Sequence, residues 1–111
     1  MDFEGFRVVI GGVVYRRRIR AGLSQRQLAD RLGLERSYLS LLEAGKRMPG
    51  VEIVFRLASA FKVSPNTLFG EIERNWRKEE EENASAVRRE EPLNPTGKAS
   101  GDPEPSVVRP L

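Results

Sequence analysis

Apolar residues recur through the first two thirds of this chain at the three-and-four spacing of a single helix face, in blocks divided by glycine, serine and proline. Ile10, Val13 and Val14, with the aliphatic stem of Arg17, form the first inward face, and Gly22 stops that run. Gly11 and Gly12 inside it each cost about 1 kcal/mol relative to Ala, which predicts a first turn prone to fray. Ser24 followed by Gln27 has the spacing of a capping box, so a second helix opens at Gln25. Leu28, Ala29 and Leu32 give it one apolar stripe, while Gln25, Arg26, Asp30 and Arg31 fall on the polar side. Gly33, without a Cβ, ends it cheaply in the left-handed conformation. Leu34, Leu39 and Leu42 mark a third segment closed by Gly45. After Pro49 and Gly50, Val51, Val54, Leu57, Ala58 and Phe61 keep the helical period. Ser64 and Pro65 read as N-cap and first helical position of a fifth segment carrying Leu68, Phe69, Ile72 and Trp76. The pattern predicts an all-α chain with helices over about residues 9–21, 25–32, 36–44, 51–61 and 65–78, preceded by an arm over residues 1–8.

Past Trp76 the periodicity stops. Residues 79–82 are a run of glutamates, and five prolines (92, 95, 103, 105 and 110) with interspersed glycine and serine leave little to bury. Residues 79–111 therefore read as an acidic, then Pro-rich, disordered tail. The 111 residues suffice for one small domain, and 39% apolar content is low for a chain packed throughout. With no Cys and no His, thiol chemistry, disulfides, zinc sites and histidine acid–base catalysis are all excluded. No cofactor or metal site is expected, and an enzyme is the weakest functional reading. The apolar run at residues 8–14 is far shorter than the roughly 20 residues a bilayer needs, and its arginines follow rather than precede it. A soluble, cytoplasmic, nucleoid-associated protein without a membrane partner is the expectation.

Charge is divided unevenly. Residues 1–70 hold 12 Lys/Arg against 6 Asp/Glu, and residues 71–111 hold 7 against 10. The part expected to fold is the basic part, which favours a polyanion through counterion release. The acidic tail either offers a contact to a protein partner or is a solvated helix end and linker.

Two short apolar-periodic segments around Gly33, the second with an arginine at its start, have the layout of a helix-turn-helix. The string LSQ at 23–25, LA at 28–29, G at 33, SYLS at 37–40, LE at 42–43, GKR at 45–47 and Pro49 resembles the XRE, phage-repressor (Cro-like) helix-turn-helix family over residues 10–71. That resemblance implies a five-helix phage-repressor-like DNA-binding domain, double-stranded DNA as partner, and a second helix of the motif that enters the major groove. It places Arg36, Ser37, Ser40 and Leu41 at the base edges. Arg36 has the guanidinium fork that matches guanine O6 and N7, with a phosphate grip as the competing reading. Leu41, where relatives carry a polar or basic residue, either packs on a thymine methyl or belongs to a packing surface. Gln25, Arg26, Tyr38, Lys46 and Arg47 fall where phosphate contacts seat such domains, and Arg16, Arg17 and Arg20 add long-range attraction. Glu35 replaces the usual Ser or Thr N-cap of the reading helix.

By the same resemblance, Arg18 and Glu43 form an ion pair tying the first helix to the reading helix. A short helix reads only a few base pairs, so such domains bind two half-sites roughly 34 Å apart as a homodimer. Phe69, Ile72 and Trp76 are the candidate dimer contacts, unless Phe3 or Phe6 of the arm covers them. The functional expectation is a sequence-specific transcriptional regulator, a repressor by occupancy of a palindromic operator. The alternative is an antitoxin-like or adaptor module that binds a protein on the same fold.

Overall fold

Asp2 accepts a 3.1 Å hydrogen bond from the backbone N–H of Gly5, and this cap opens helix α1 (Phe3–Arg20) well ahead of residue 9. The arm expected over residues 1–8 is thus largely the first turns of α1. Those turns are held by packing: Phe6 meets Trp76 edge-to-face with ring centroids 5.3 Å apart, and Val9 is buried. The expected fraying at the glycine pair is opposed because Gly11 is itself a buried contact.

The computed structural model describes residues 2–90, with side chains over residues 2–84. After α1 come α2 (Gln25–Leu32), α3 (Arg36–Glu43), α4 (Val51–Ala60) and α5 (Pro65–Glu90), and no strand occurs among the described residues. No helix among them is long and apolar enough to cross a membrane.

The boundaries follow from local chemistry. Ser24 Oγ accepts from Gln27 N–H at 3.0 Å while Gln27 Oε1 accepts from Ser24 N–H at 2.8 Å, a reciprocal box that starts α2. Gly33 stands at φ +70°, and the Leu34 N–H returns to the Ala29 carbonyl at 2.9 Å, which satisfies carbonyls that the end of α2 leaves open. Helix α3 begins without a side-chain cap from Glu35 and closes through Gly45 at φ +77°. Ser64 Oγ accepts from Thr67 N–H at 3.1 Å, opening α5 at Pro65.

The core is one cluster drawn from all five helices, with Val13, Val14, Leu28, Leu32, Leu39, Leu42, Leu57 and Leu68 at its centre. Each such side chain contributes about 1.5–3 kcal/mol by leaving water. Ile72 belongs to this cluster and is 6% exposed, which removes it from the candidate dimer contacts. The reason is register: Leu68 and Ile72, one helical turn apart, share the face of α5 turned to the core, whereas Phe69 lies beside them and is 43% exposed.

The basic end of α1 is tied to α5. Glu71 accepts from Arg17 Nε at 2.6 Å and from Arg20 Nη2 at 3.4 Å, and Arg16 Nη2 donates to Asn75 Oδ1 at 3.1 Å. These arginines thus serve as interhelix ties beyond the long-range attraction expected of them.

The chain divides into two units, Met1–Trp76 and Arg77–Leu111. The described part of the second, residues 77–90, is helical, so α5 continues past the expected end at residue 78. Residues 79–82, expected to begin a disordered tail, are exposed helix. Glu, Lys, Arg and Ala are good helix formers, and Arg77 with Glu81 and Lys78 with Glu82 have opposite charges at the favourable i,i+4 spacing. The expected tail from residue 91 onward lies outside the described residues.

Candidate nucleic-acid interface

Leu39 and Leu42 are fully buried, and the helical period turns the opposite face of α3 outward. Arg36 and Ser37 are exposed on its first turn, Ser40 is half-buried, and Leu41 is 40% exposed. The four candidate base readers therefore share one face. Ala44, directly after α3 and exposed, continues that face four residues beyond Ser40; the spacing carried this signal, but an alanine carries no obvious reading chemistry. Ser37 Oγ lies 3.4 Å from Glu35 Oε1.

Of the candidate phosphate contacts, Arg26, Lys46 and Arg47 are exposed. Arg47, which follows α3, stacks its guanidinium over the half-buried ring of Tyr38 in the first turn of α3, 5.1 Å from the centroid. Gln25 is differently engaged. Its Nε2 donates to Glu43 Oε1 at 3.1 Å, so the side chain proposed as a clamp is held inward, while its backbone N–H lies in the open first turn of α2.

Glu43 is the hub of this region. Arg18 Nε donates to Glu43 Oε2 at 2.7 Å and Arg18 Nη2 to Glu43 Oε1 at 3.0 Å, a bidentate pair. The two side chains are 9% and 5% exposed. Arg18 Nη1 also donates to the Leu23 carbonyl at 2.9 Å, and its guanidinium lies 5.3 Å from the Tyr15 ring centroid. The hydrogen bonds that Arg18 donates to Glu43 raise its pKa above its already high ordinary value, outweighing the opposite effect of burial. Arg18 therefore keeps its charge at any pH a protein meets, and α1, the start of α2 and the end of α3 are joined through one carboxylate.

A second tie escaped the sequence. Arg56 on α4 donates from Nη1 to the Leu32 carbonyl at 2.9 Å and from Nη2 to Glu52 at 2.6 Å. The first bond holds α4 to the end of α2, immediately before the Gly33 turn. Nothing in the apolar pattern marks an arginine on a polar face as a partner for a backbone carbonyl.

Two short helices crossing at a glycine turn, with the second one outward-facing and braced by flanking helices, define a helix-turn-helix module. Comparison with known proteins agrees. A helix-turn-helix family model matches residues 14–68. An uncharacterized HTH-type transcriptional regulator from Sinorhizobium fredii is 40% identical over 58 residues, covering 52% of this chain and 75% of the relative. Another from Mycobacterium tuberculosis is 38% identical over 59 residues, covering 53% of this chain and 42% of the relative, so the match spans about two-fifths of that protein's length. The crystal structure of the restriction-modification controller protein C.AhdI from Aeromonas hydrophila aligns with a TM-score of 0.54 and 35% identity, covering 56% of this chain and 94% of that one. The chain belongs to this helix-turn-helix family.

Proposed function

We propose that this protein is a sequence-specific DNA-binding regulator of transcription that places α3 in the major groove and represses by occupying its operator. The observation that carries the reading is the division of α3 into two faces. Leu39 and Leu42 anchor it in the core while Arg36, Ser37, Ser40 and Leu41 turn outward together. A helix so held supports base readout, which needs its reading side chains carried on a rigid element. Arg26, Lys46 and Arg47, with Tyr38 beneath Arg47 and the backbone N–H of Gln25, are the proposed phosphate seat.

A homodimer on a palindromic site is the second element of the proposal, since one α3 spans only a few base pairs. Phe69, exposed on α5, supports it as the candidate contact. Trp76 is half-buried against Phe6 and has at most an edge to offer. The test is selection of bound duplexes from a random pool, followed by binding across a salt series. One enriched, two-fold symmetric sequence is expected, with affinity falling at a log–log slope of about −0.9 per neutralised phosphate. No enrichment above background would refute the proposal.

A further inference from the structure

Two glycines sit where α1 and α3 cross, and neither is explained by a turn alone. A Cβ on Gly11 would lie 2.5 Å from the Leu42 carbonyl oxygen, 2.7 Å from the Glu43 carbonyl oxygen and 3.0 Å from the Glu43 carbonyl carbon. On the other side of the crossing, a Cβ on Gly45 would lie 2.8 Å from Val8 Cγ2 and 2.9 Å from Val8 Cα. At Gly11 the two backbones therefore touch with no side chain between them, whereas at Gly45 a Cβ would meet the Val8 side chain as well as its backbone. Gly12, the next residue along, is different in kind. A Cβ there would meet only the far end of the Arg16 side chain, 3.2 Å away at Nη1.

The obstacle at Gly11 cannot swing aside. It is the last turn of α3, the helix that carries Arg36, Ser37, Ser40 and Leu41, and ordinary carbon-to-oxygen contact of about 3.3–3.6 Å requires the helices to part by about 1 Å. Glu43, whose carbonyl is one of the blocked atoms, is also the residue held by Arg18 and Gln25. The ionic tie and the backbone contact thus act on the same turn of α3. The side-chain network draws that turn toward α1, and Gly11 determines how near it comes.

We infer that Gly11 is a positioning residue for sequence readout: its missing Cβ sets the seating of α3 against α1, and through it the register of the reading face on the bases, although Gly11 itself touches no DNA. This rests on the proposed function for its consequence at DNA, and on the structure alone for its consequence at α3. A shift of this size is comparable with the tolerance of base contacts and small beside that of flexible lysines and arginines reaching for phosphate.

The test compares the full chain with Gly11→Ala, Gly12→Ala and the double substitution, in which the helix gain at position 12 offsets instability introduced at position 11. Two readouts are taken: the ratio of affinities for a wild-type-selected duplex and for random duplex, and the orientation of α3 against α4 from amide residual dipolar couplings. Gly11→Ala, alone or in the double variant, is expected to lower the affinity ratio by about tenfold or more, the effect of one ill-made base contact. Random-duplex binding should change by less than about twofold, α3 should reorient, and Gly12→Ala should leave both readouts at wild type. A Gly11→Ala protein that is merely less stable, with the wild-type affinity ratio and an unmoved α3, overturns the inference. If wild type selects no sequence, the proposed function fails, and the couplings alone then decide whether Gly11 seats α3.

Discussion

Gln25 and Glu43 are joined by a 3.1 Å hydrogen bond from the Gln25 amide nitrogen to Glu43 Oε1, on the carboxylate that already holds Arg18 by two bonds. The start of α2 and the end of α3 are thereby closed onto one buried charge. The ends of the helix-turn-helix are fixed relative to each other through the same group that fixes them to α1.

Removing that group should be expensive. Glu43→Ala strands the Arg18 guanidinium, whose side chain is 9% exposed, and loss of about 3–5 kcal/mol in unfolding free energy is expected for a buried pair broken on one side. Adding Arg18→Met should recover most of the loss, because an apolar side chain of similar length needs no partner. Urea denaturation of the single and double variants measures both. A Glu43→Ala protein as stable as wild type would show that the pair contributes only orientation.

Base and phosphate contacts separate by their response to sequence and salt. Arg36→Ala should weaken binding to the selected operator by about 1–3 kcal/mol and leave random duplex little changed. Arg47→Ala should weaken both about equally and flatten the log–log salt slope by about 1. The same titration series on the two variants provides the comparison, and interchange of the two patterns would reverse the roles assigned here.

The extent to which sequence reached this structure depends on what kind of signal each feature left. The Ser24–Gln27 box and the Gly33 stop are local: each needs only a few residues of chain, and both stand in the structure as their spacing implies. The core stripe was legible wherever one face decided burial, as in Leu28, Leu32, Leu39 and Leu42. Ile72 was misplaced because the stripe on α5 is wider than the strip that the core covers, and period alone does not say where the cover ends. Gly11 read as a weakness because propensity counts what a glycine costs its own helix and not what it permits in a neighbour. Glu71 and Arg56 were invisible for the same reason: their partners, Arg17 and the Leu32 carbonyl, are distant in sequence and unmarked by any pattern.

The early start of α1 has its own spectroscopic test. Trp76 is the only tryptophan, and its contact with Phe6 joins the first turns of α1 to α5. Phe6→Ala should shift Trp76 emission to the red and lower stability by at least the ~0.5–1.5 kcal/mol such an aromatic pair adds beyond its buried area. An unchanged spectrum would mean that residues before Val9 do not pack in solution.

Ile72 and Phe69 lie three residues apart on α5 and should fail in different ways. Ile72 is in the core, so Ile72→Ala removes buried methyl groups and is expected to cost about 2–5 kcal/mol in every folded chain. Phe69 is exposed, so Phe69→Asp should leave the isolated domain's stability nearly unchanged while lowering self-association. The distinction is visible in how the melting temperature depends on protein concentration, because a dimer binds only folded chains and raises their stability by mass action. For Ile72→Ala the melting temperature should drop at all concentrations. For Phe69→Asp it should lose its dependence on concentration, with sedimentation showing a smaller species. If Phe69→Asp sediments like wild type, Phe69 is not the dimer contact, and two-fold operator binding must be built through another face.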